Sequence, residues 1–260
     1  MSLLLVVLGI MAEGRAKYVF YFIGDGMGVN QVNAAETYLG AVQGRIGIEP
    51  LCFPSFPYSA MVNTQSATNG VTDSSAGGTA LACGKKTKNG VEGMLKDQST
   101  PITSIAQWAH NGGAAVGVTT SVSIDHATPA AFYSHVPDRN MYYEIGTQLS
   151  TSGFDFFGGS DFLKPDNPKG GDDLYKQTQD AGYTIARGYK DYQKKCKKAD
   201  RMVLFSLRLQ ARTTAAAYHT PSTVGRTTLP LPTSHAQPST SLRRNRTPRT
   251  VSSSWWRVAR

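Results

Sequence analysis

The sequence predicts an α/β protein with a largely parallel central sheet. Two observations lead to this fold class: short apolar segments typical of buried strands recur along residues 17–205, and segments with helical spacing separate most of them. Strands that alternate with helices form βαβ units, which make neighbouring strands parallel. The 260 residues suffice for one large domain or two small ones with a sizeable core.

The first predicted elements surround a run of small residues. A continuous apolar run, Tyr18–Ile23, predicts a buried strand that ends in a Gly-rich turn, and "SAMVNT" predicts a second strand. Asp73–Cys83 predicts a helix closed by Gly84, because Asp favours the N-cap and Gly the position after the last turn.

The later elements follow the same alternation. Helical spacing of apolar residues from Ile102 to Ala109 predicts a helix that ends at "NGG", and "AAVGVTT" predicts a buried strand. The remaining predictions are a helix at Met141–Leu149, strands at "FDFFGG" and "YTIA", a short basic helix at Tyr189–Lys198 and a strand at Met202–Phe205.

Polar segments follow the predicted strands. In parallel sheets, ligands bind outside the carboxyl ends of the strands. Asp25 comes directly after the first strand, "SIDHATPAAFYSHVPDR" follows the "AVGVTT" strand, and Ser74 follows "MVNT" after a loop. The sequence therefore predicts the functional site at this edge of the sheet.

The stretch "GVTDSSAGGTALACGKK" allows two interpretations. Asp73 and Ser74 could begin a helix that binds an anion at its free N–H groups, with Ser74 as the attacking group. The alternative is an ordinary capped helix whose small side chains let a neighbour pack closely.

The other candidate residues also allow two interpretations each. Asp25 in "IGDGMG" could bind a metal ion or form an Asx turn. His126 and Thr128 could bind a metal ion, the hydroxyl suiting magnesium, or lie in a loop with a hydrogen-bonded imidazole. Arg139 could hold a phosphate with its planar fork or cover a surface. His135 carries no specific signal, which favours a structural role.

Three segments in order, "YFIGDGMG", "VTDSSAGGTALACGKKTKNG" and "DHATPAAFYSHVPDR", resemble the alkaline phosphatases over roughly Lys17 to Phe205. The resemblance implies a three-layer sandwich, incomplete in this chain. It also implies zinc- and magnesium-dependent hydrolysis of phosphate monoesters to inorganic phosphate, and a homodimer in the full-length family form.

The resemblance also implies a role for each matching residue. Ser74 would be the nucleophile that becomes phosphorylated, Arg139 would grip the phosphoryl oxygens, and Asp73 would bind substrate indirectly by orienting Arg139. The implied metal ligands are Ser74 for zinc, Asp25 bridging zinc and magnesium, Thr128 for magnesium, and His126, which stands where family members carry Asp or His.

The last part of the chain departs from the family pattern. The family takes most zinc ligands and a magnesium-binding Glu from later motifs, whereas residues 206–260 offer only His219 and His235 and no carboxylate. Because a two-zinc site needs several deprotonated ligands, the sequence predicts little or no phosphatase activity for this chain.

The same tail, residues 206–260, carries the basic charge of the chain. Residues 1–200 hold 17 basic and 18 acidic residues, whereas residues 201–260 hold 10 Arg and no Lys, Asp or Glu. The tail could be a basic arm for nucleic acid, a low-complexity linker, or a frame-shifted, disordered stretch. We favour the frame shift, because codons for Thr250–Arg260 permit "GFFLMVEGGK" in another frame, which resembles the family segment with the magnesium-binding Glu. No specific nucleic-acid partner is expected.

The first 16 residues resemble a signal peptide. Leu3–Met11 is apolar but too short to span a bilayer, and Gly14 and Ala16 fit a small-x-small cleavage site. The expected location is therefore secreted or periplasmic, and the alternative is a buried first strand or helix. The three cysteines, Cys52, Cys83 and Cys196, are too few for a disulfide framework. A single disulfide bridge between two of them stays open.

Three other functions remain open at this stage. One is a non-catalytic remnant that binds phosphate or metal, and another is a nucleic-acid-binding protein that acts through the tail. The third is a related phosphodiesterase or sulfatase with a similar metal-bound architecture. Ser74 in "TDSSAG" together with Arg139 favours the monoesterase.

Overall fold

The computed structural model describes residues 16–206. They form two compact units, divided between Val62 and Asn63. We call residues 16–62 the N-terminal unit and residues 63–206 the C-terminal unit. The predicted signal peptide before residue 16 and the basic tail after residue 206 lie outside the described residues.

The N-terminal unit is built around one helix, α1 (Val29–Val42), and a single 3-10 turn at Phe53–Ser55. The chain after α1 folds back along this helix, where Glu49 donates its N–H to the carbonyl of Glu36 at 2.9 Å. Gly40 faces this returning segment, and it is the one buried residue among residues 16–62.

Two predicted strands are absent from this part of the structure. Neither Tyr18–Ile23 nor "SAMVNT" is a strand, and the sheet of the molecule includes neither segment. Phe22 and Met61 are exposed rather than buried. An apolar run indicates that a segment favours burial, but a strand also needs a neighbouring ladder to bond its backbone.

The C-terminal unit has the predicted α/β alternation. Its elements in chain order are α2 (Ser74–Cys83), α3 (Ile105–Asn111), β1 (Gly117–Thr119), α4 (Ala127–Ala130), α5 (Tyr142–Thr151), β2 (Phe156–Gly159), α6 (Leu174–Asp180), β3 (Tyr183–Arg187), α7 (Tyr189–Lys195) and β4 (Arg201–Phe205). Helices α1, α4 and α6 had not been predicted. Within residues 16–206, no helix combines the length and apolarity that a membrane span requires.

The four strands form one parallel sheet in the order β1-β2-β4-β3. Phe157 in β2 pairs with Val118 of β1 on one side and with Val203 of β4 on the other. The prediction that β1 is buried is wrong, because Gly117 and Thr119 are exposed on this edge strand. The prediction of an α/β fold with a parallel sheet is confirmed.

Helices cover both faces of the sheet. On one face, α5 and α6 join the strands in the main core around Phe157, Ile145 and Leu174. On the other face, Tyr192 of α7 packs with Met202 in a smaller cluster. Because neighbouring residues of a strand point to opposite faces, Met202 and Val203 contribute to different clusters.

Edge-to-face aromatic contacts organise the main core. The ring centroids of Tyr133 and Phe157 lie 5.2 Å apart, and those of Phe162 and Phe205 lie 5.4 Å apart, both with edge geometry. Such pairs contribute about 0.5–1.5 kcal/mol beyond the burial of their surfaces. These contacts stabilise the sheet whose strands lead into the loops at their carboxyl ends.

Candidate functional site

Asp73 fixes the start of helix α2. Its Oδ1 accepts the N–H of Ala76 at 2.9 Å, the usual contact of an N-cap carboxylate. At the other end, Gly84 adopts a left-handed conformation with φ of 67° and donates its N–H to the carbonyl of Ala80. Ser74 is consequently the first residue of a ten-residue helix, at its electropositive end.

The second carboxylate oxygen of Asp73 connects the helix to two other segments. Oδ2 accepts the N–H of Gly90 at 2.9 Å and an N–H of the Arg139 guanidinium, through Nη1, at 3.2 Å. The backbone N–H of Arg139 in turn donates to the carbonyl of Gly90 at 2.8 Å. We call these three residues, Asp73, Gly90 and Arg139, the clamp.

The clamp retains access to solvent. The side chains of Arg139 and Asp73 are 22% and 26% exposed. Asp73 accepts one N–H of the Arg139 guanidinium. This group carries five N–H donors, so other donors can bind a second anion. Arg139 is thus oriented by Asp73 while its charge stays accessible at the start of α2.

The small residues of α2 serve helix packing. A Cβ placed on Gly78 would meet the Cβ of Ala131 at 3.1 Å and the Cα of Thr128 at 3.5 Å. The close approach that the sequence predicted is therefore made by the segment that contains α4. The structure shows the capped, closely packed helix of the second interpretation. Anion binding at its start, with Ser74 as the attacking group, stays a prediction.

Helix α4 carries the "DHATP" motif. His126 is its N-cap residue, with φ and ψ of -71° and 153°, and Thr128 is half-buried within the helix. Thr128 is thus placed beside α2 by the packing at Gly78. His135, further along, has a structural contact, because its Nδ1 lies 2.7 Å from the carbonyl oxygen of Gly93.

Asp25 belongs to the N-terminal unit. It lies in a tight turn in which Met27 donates its N–H to the carbonyl of Gly24 at 3.1 Å. Gly26 in this turn has a φ of 66°, which favours glycine. The structure thus gives Asp25 turn geometry, and its predicted role as a metal ligand rests on the sequence motif.

Sequence reasoning missed two buried carboxyl groups in the C-terminal unit. Asp125 is fully buried, its Oδ2 accepts the N–H of Leu163 at 2.8 Å, and burial raises its pKa to about 6. Glu92 is also fully buried, and burial raises its pKa well above the ordinary value. The "IDH" context could have drawn attention to Asp125, whereas Glu92 in "GVEG" has no sequence signal.

The described residues do not by themselves fit a two-zinc centre. Among residues 16–206, no group of three or more His, Cys, Asp or Glu side chains gathers as a metal site would require. Zinc sites generally use three or four such ligands. The predicted ligands in the C-terminal unit are one imidazole, of His126, and two hydroxyls, of Thr128 and Ser74.

Comparisons with known proteins agree with the motifs. A family model described as alkaline phosphatase matches residues 16–155. The chain is 39% identical over 140 residues to the tissue-nonspecific alkaline phosphatase of Gallus gallus, which covers 50% of this chain and 27% of that protein. It is 37% identical over 156 residues to the membrane-bound alkaline phosphatase of Bombyx mori, covering 55% and 28%.

Solved structures give the same result for the fold. The alkaline phosphatase of the Antarctic bacterium TAB5 superposes with a TM-score of 0.57 at 28% identity, covering 67% of this chain and 50% of that chain. The alkaline phosphatase of Thermus thermophilus also gives 0.57, at 32% identity, covering 67% and 37%.

The fold and the site therefore define a phosphatase-like α/β protein. Because the family model matches more than half of the chain, this chain belongs to the alkaline phosphatase family. It spans roughly a quarter of the length of the curated relatives that it matches, for example 27% of the Gallus gallus protein.

Proposed function

We propose that this chain carries the phosphate-binding and nucleophile part of an alkaline phosphatase, which hydrolyses phosphate monoesters. The observation that carries the proposal is the clamp, in which Asp73, the residue before Ser74, pairs with Arg139 at the start of α2. Arg139 binds two phosphoryl oxygens through its planar fork, and the helix terminus adds favourable potential for the anion.

The proposed reaction has two steps. The Ser74 Oγ attacks phosphorus, its hydroxyl proton is released, and the bond from phosphorus to the ester oxygen breaks, so that the alcohol leaves with a proton and phosphoserine remains. Water then hydrolyses phosphoserine to inorganic phosphate and restores the hydroxyl. Arg139 and the helix terminus stabilise the charge on the non-bridging oxygens in both steps.

A serine hydroxyl is a weak nucleophile unless a neighbouring group activates it. The donor set of the described residues is too small for two zinc ions, so we propose slow turnover for this 260-residue chain. Magnesium prefers oxygen ligands, and we propose Thr128 as a magnesium ligand and His126 as a further metal ligand. Asp25 is proposed as a metal ligand from its sequence motif alone. A structure of a TAB5 alkaline phosphatase mutant has Mg bound, which supports magnesium as a metal of such a site.

Further parts of the proposal rest on sequence and family. We propose secretion or a periplasmic location on the basis of the first 16 residues, phosphate monoesters as substrates, and a homodimer for the full-length form. We propose no specific nucleic-acid partner, because the tail combines its Arg residues with few interleaved aromatic side chains.

Inorganic phosphate binding tests the clamp directly. Isothermal titration of the full chain is expected to show binding that Arg139→Ala weakens by about 10- to 100-fold, the range for hydrogen bonds to charged groups. The matched control is Arg187→Ala, since Arg187 forms a similar ion pair with Asp161 at 3.0 Å. Equal affinity in the Arg139→Ala variant and the unaltered chain would contradict the proposal.

Trapping of phosphoserine tests the nucleophile. The chain is incubated with a labelled aryl phosphate, zinc and magnesium, quenched in acid and mapped by mass spectrometry. Label is expected on Ser74 and is lost in Ser74→Ala but not in Ser75→Ala, because Ser75 is fully buried. Undiminished label in Ser74→Ala excludes this nucleophile, and turnover on the order of 1–1000 per second contradicts slow turnover.

A further inference from the structure

We propose that Glu92 is a positioning residue for the clamp, held as a neutral carboxylic acid in contact with the Ser134 hydroxyl. The role in phosphate binding rests on the proposed function, whereas the state of the carboxyl group does not. Glu92 lies outside the family motifs that suggested the site, and it does not contact the phosphate itself.

The backbone of Glu92 is part of the clamp's support. Glu92 and Val136 exchange two backbone hydrogen bonds, of 3.0 and 2.9 Å. Gly90, two residues before Glu92, is joined to Arg139, three residues after Val136, and the N–H of Gly93 donates to the Thr79 hydroxyl of α2 at 2.9 Å. A displacement of Glu92 therefore moves the segment that carries Arg139.

The hydrogen-bond donors near the side chain determine its state. The Glu92 Oε1 lies 3.3 Å from the Ser134 Oγ, and this Oγ lies 3.0 Å from the carbonyl oxygen of Ala130. The Ser134 hydroxyl has one hydrogen, which it can donate either to Glu92 or to the Ala130 carbonyl, and that carbonyl already accepts the N–H groups of Tyr133 and Ser134. Among the described residues, Glu92 therefore has at most this one hydroxyl donor, at 3.3 Å, for its two carboxyl oxygens.

The surroundings disfavour a charge on Glu92. The side chain is fully buried, and its Oε2 has no hydrogen-bond partner within residues 16–206. An ionised carboxylate in such a place keeps a large desolvation penalty. The charged and titratable groups around it are Arg139, Asp73, Asp125, Tyr133, Tyr142 and His135.

A neutral Glu92 has a consequence for the clamp. Arg139 is the one cation in that set, and Asp73 already pairs with its guanidinium at 3.2 Å. An ionised Glu92 would compete with Asp73 for Arg139 and add negative charge to the group, which repels phosphate. Glu92 as a neutral acid supports the clamp without adding charge to the anion site.

Infrared difference spectroscopy of the full chain tests the protonation. The spectrum of the unaltered chain minus that of Glu92→Gln, at neutral pH, is expected to contain the carbonyl band of a protonated carboxyl group. The control is Glu144→Gln, an exposed Glu in α5, which leaves that band in place. Absence of the band from the unaltered chain overturns the neutral state.

Hydrogen exchange tests the positioning. Glu92→Gln keeps the size of the side chain and an oxygen that accepts from Ser134, so protection of the Val136 and Arg139 amides is expected to be retained. Glu92→Ala removes that contact, and the protection of the same two amides is expected to fall by tenfold or more, whereas the amides of the four-stranded sheet keep theirs. Unchanged protection in Glu92→Ala, or an equal loss throughout the unit, overturns the positioning role.

The pH dependence supplies an independent measurement. Burial raises the pKa of Glu92 in the folded chain, so the folded state binds this proton more tightly than the unfolded state. The stability that this proton contributes is complete below about pH 4 and is lost as pH rises towards the pKa of Glu92 in the folded chain. The equilibrium constant for unfolding then rises by at most roughly tenfold per pH unit. Glu92→Gln is expected to remove that slope, and an unchanged slope contradicts the proposal.

Phosphate affinity separates the two proposals. Between neutral and alkaline pH, the affinity of the unaltered chain is expected to fall more than that of Glu92→Gln. If the unaltered chain does not bind phosphate at all, the proposed function fails, and the infrared band and the exchange rates still decide the role of Glu92. If both chains lose affinity equally, the link between Glu92 and the anion site is wrong.

Discussion

The two units place their apolar side chains very differently. In the N-terminal unit, Phe22 is 87% exposed and Ile46 is fully exposed, and only Gly40 is buried among residues 16–62. In the C-terminal unit, Phe157 and Val203 are completely buried in a core that joins strands and helices.

The difference shows that apolar composition does not by itself make a core. A core needs layers that present apolar faces to each other, and the C-terminal unit provides them with a sheet and helices on both faces. The N-terminal unit has one long helix and no sheet within its described residues. The clamp is built entirely on the unit that has the layered core.

Truncation of one Phe in each unit gives the largest expected effect. Phe157→Ala is expected to lower the free energy of unfolding by about 3–5 kcal/mol, because it leaves a cavity beside Tyr133 and Tyr183. Phe22→Ala, at an exposed site, is expected to change it by less than about 0.5 kcal/mol. Urea unfolding measures both, and equal costs would break the contrast between the units.

Two helix caps of the C-terminal unit give a smaller effect. Asp73→Ala is expected to cost about 1–3 kcal/mol, because it removes the cap, the Gly90 contact and the Arg139 ion pair together. Asp173→Ala removes the cap of α6, where Asp173 accepts the Lys176 N–H at 2.8 Å, and is expected to cost about 1 kcal/mol. Thermal unfolding compares the variants.

Phosphate titration of the same two variants sharpens the result. Asp73→Ala is expected to weaken phosphate binding, because Arg139 loses the carboxylate that orients it, whereas Asp173→Ala is expected to bind as the unaltered chain does. A loss of the same size in both variants would mean that helix stability, rather than the clamp, controls binding.

The reaction rates of two free cysteines, one in each unit, compare the units without any substitution. Burial raises the pKa of Cys83 to about 11 from an ordinary value of 9.0, so roughly a hundredfold less thiolate is present near neutral pH. Cys52 in the N-terminal unit is exposed. Mass spectrometry after iodoacetamide is expected to find Cys52 modified first, and faster reaction at Cys83 would contradict its burial.

Much of the C-terminal unit could be predicted from local chemistry. The Asp73 cap and Gly84 fixed the limits of α2, and the runs "FDFFGG" and "RMVLF" marked β2 and β4 because buried parallel strands are continuously apolar. Helix α6 was missed although Asp173 caps it, since its mostly polar sequence gives a weak periodic signal.

The rest depended on contacts between distant residues. Tyr18–Ile23 has the composition of a buried strand, and its sequence does not reveal whether a ladder adjoins it. The ion pair of Asp73 and Arg139 joins residues that lie 66 positions apart, and only the resemblance of the motifs suggested their association. The proposed role of Glu92 could not be predicted from the sequence, because it depends on the burial of the side chain and on the single hydroxyl donor beside it.

The position of β4 within the sheet has a consequence for the synthesis of the chain. The last of the described strands, β4, lies between β2 and β3, and β3 pairs with β4 alone among the described strands. A nascent chain that has not yet released residues 201–205 can pair β1 with β2 but cannot attach β3. Among the described strands, β4 must therefore be inserted between β2 and β3, and assembly of this part of the sheet during translation must wait for that insertion.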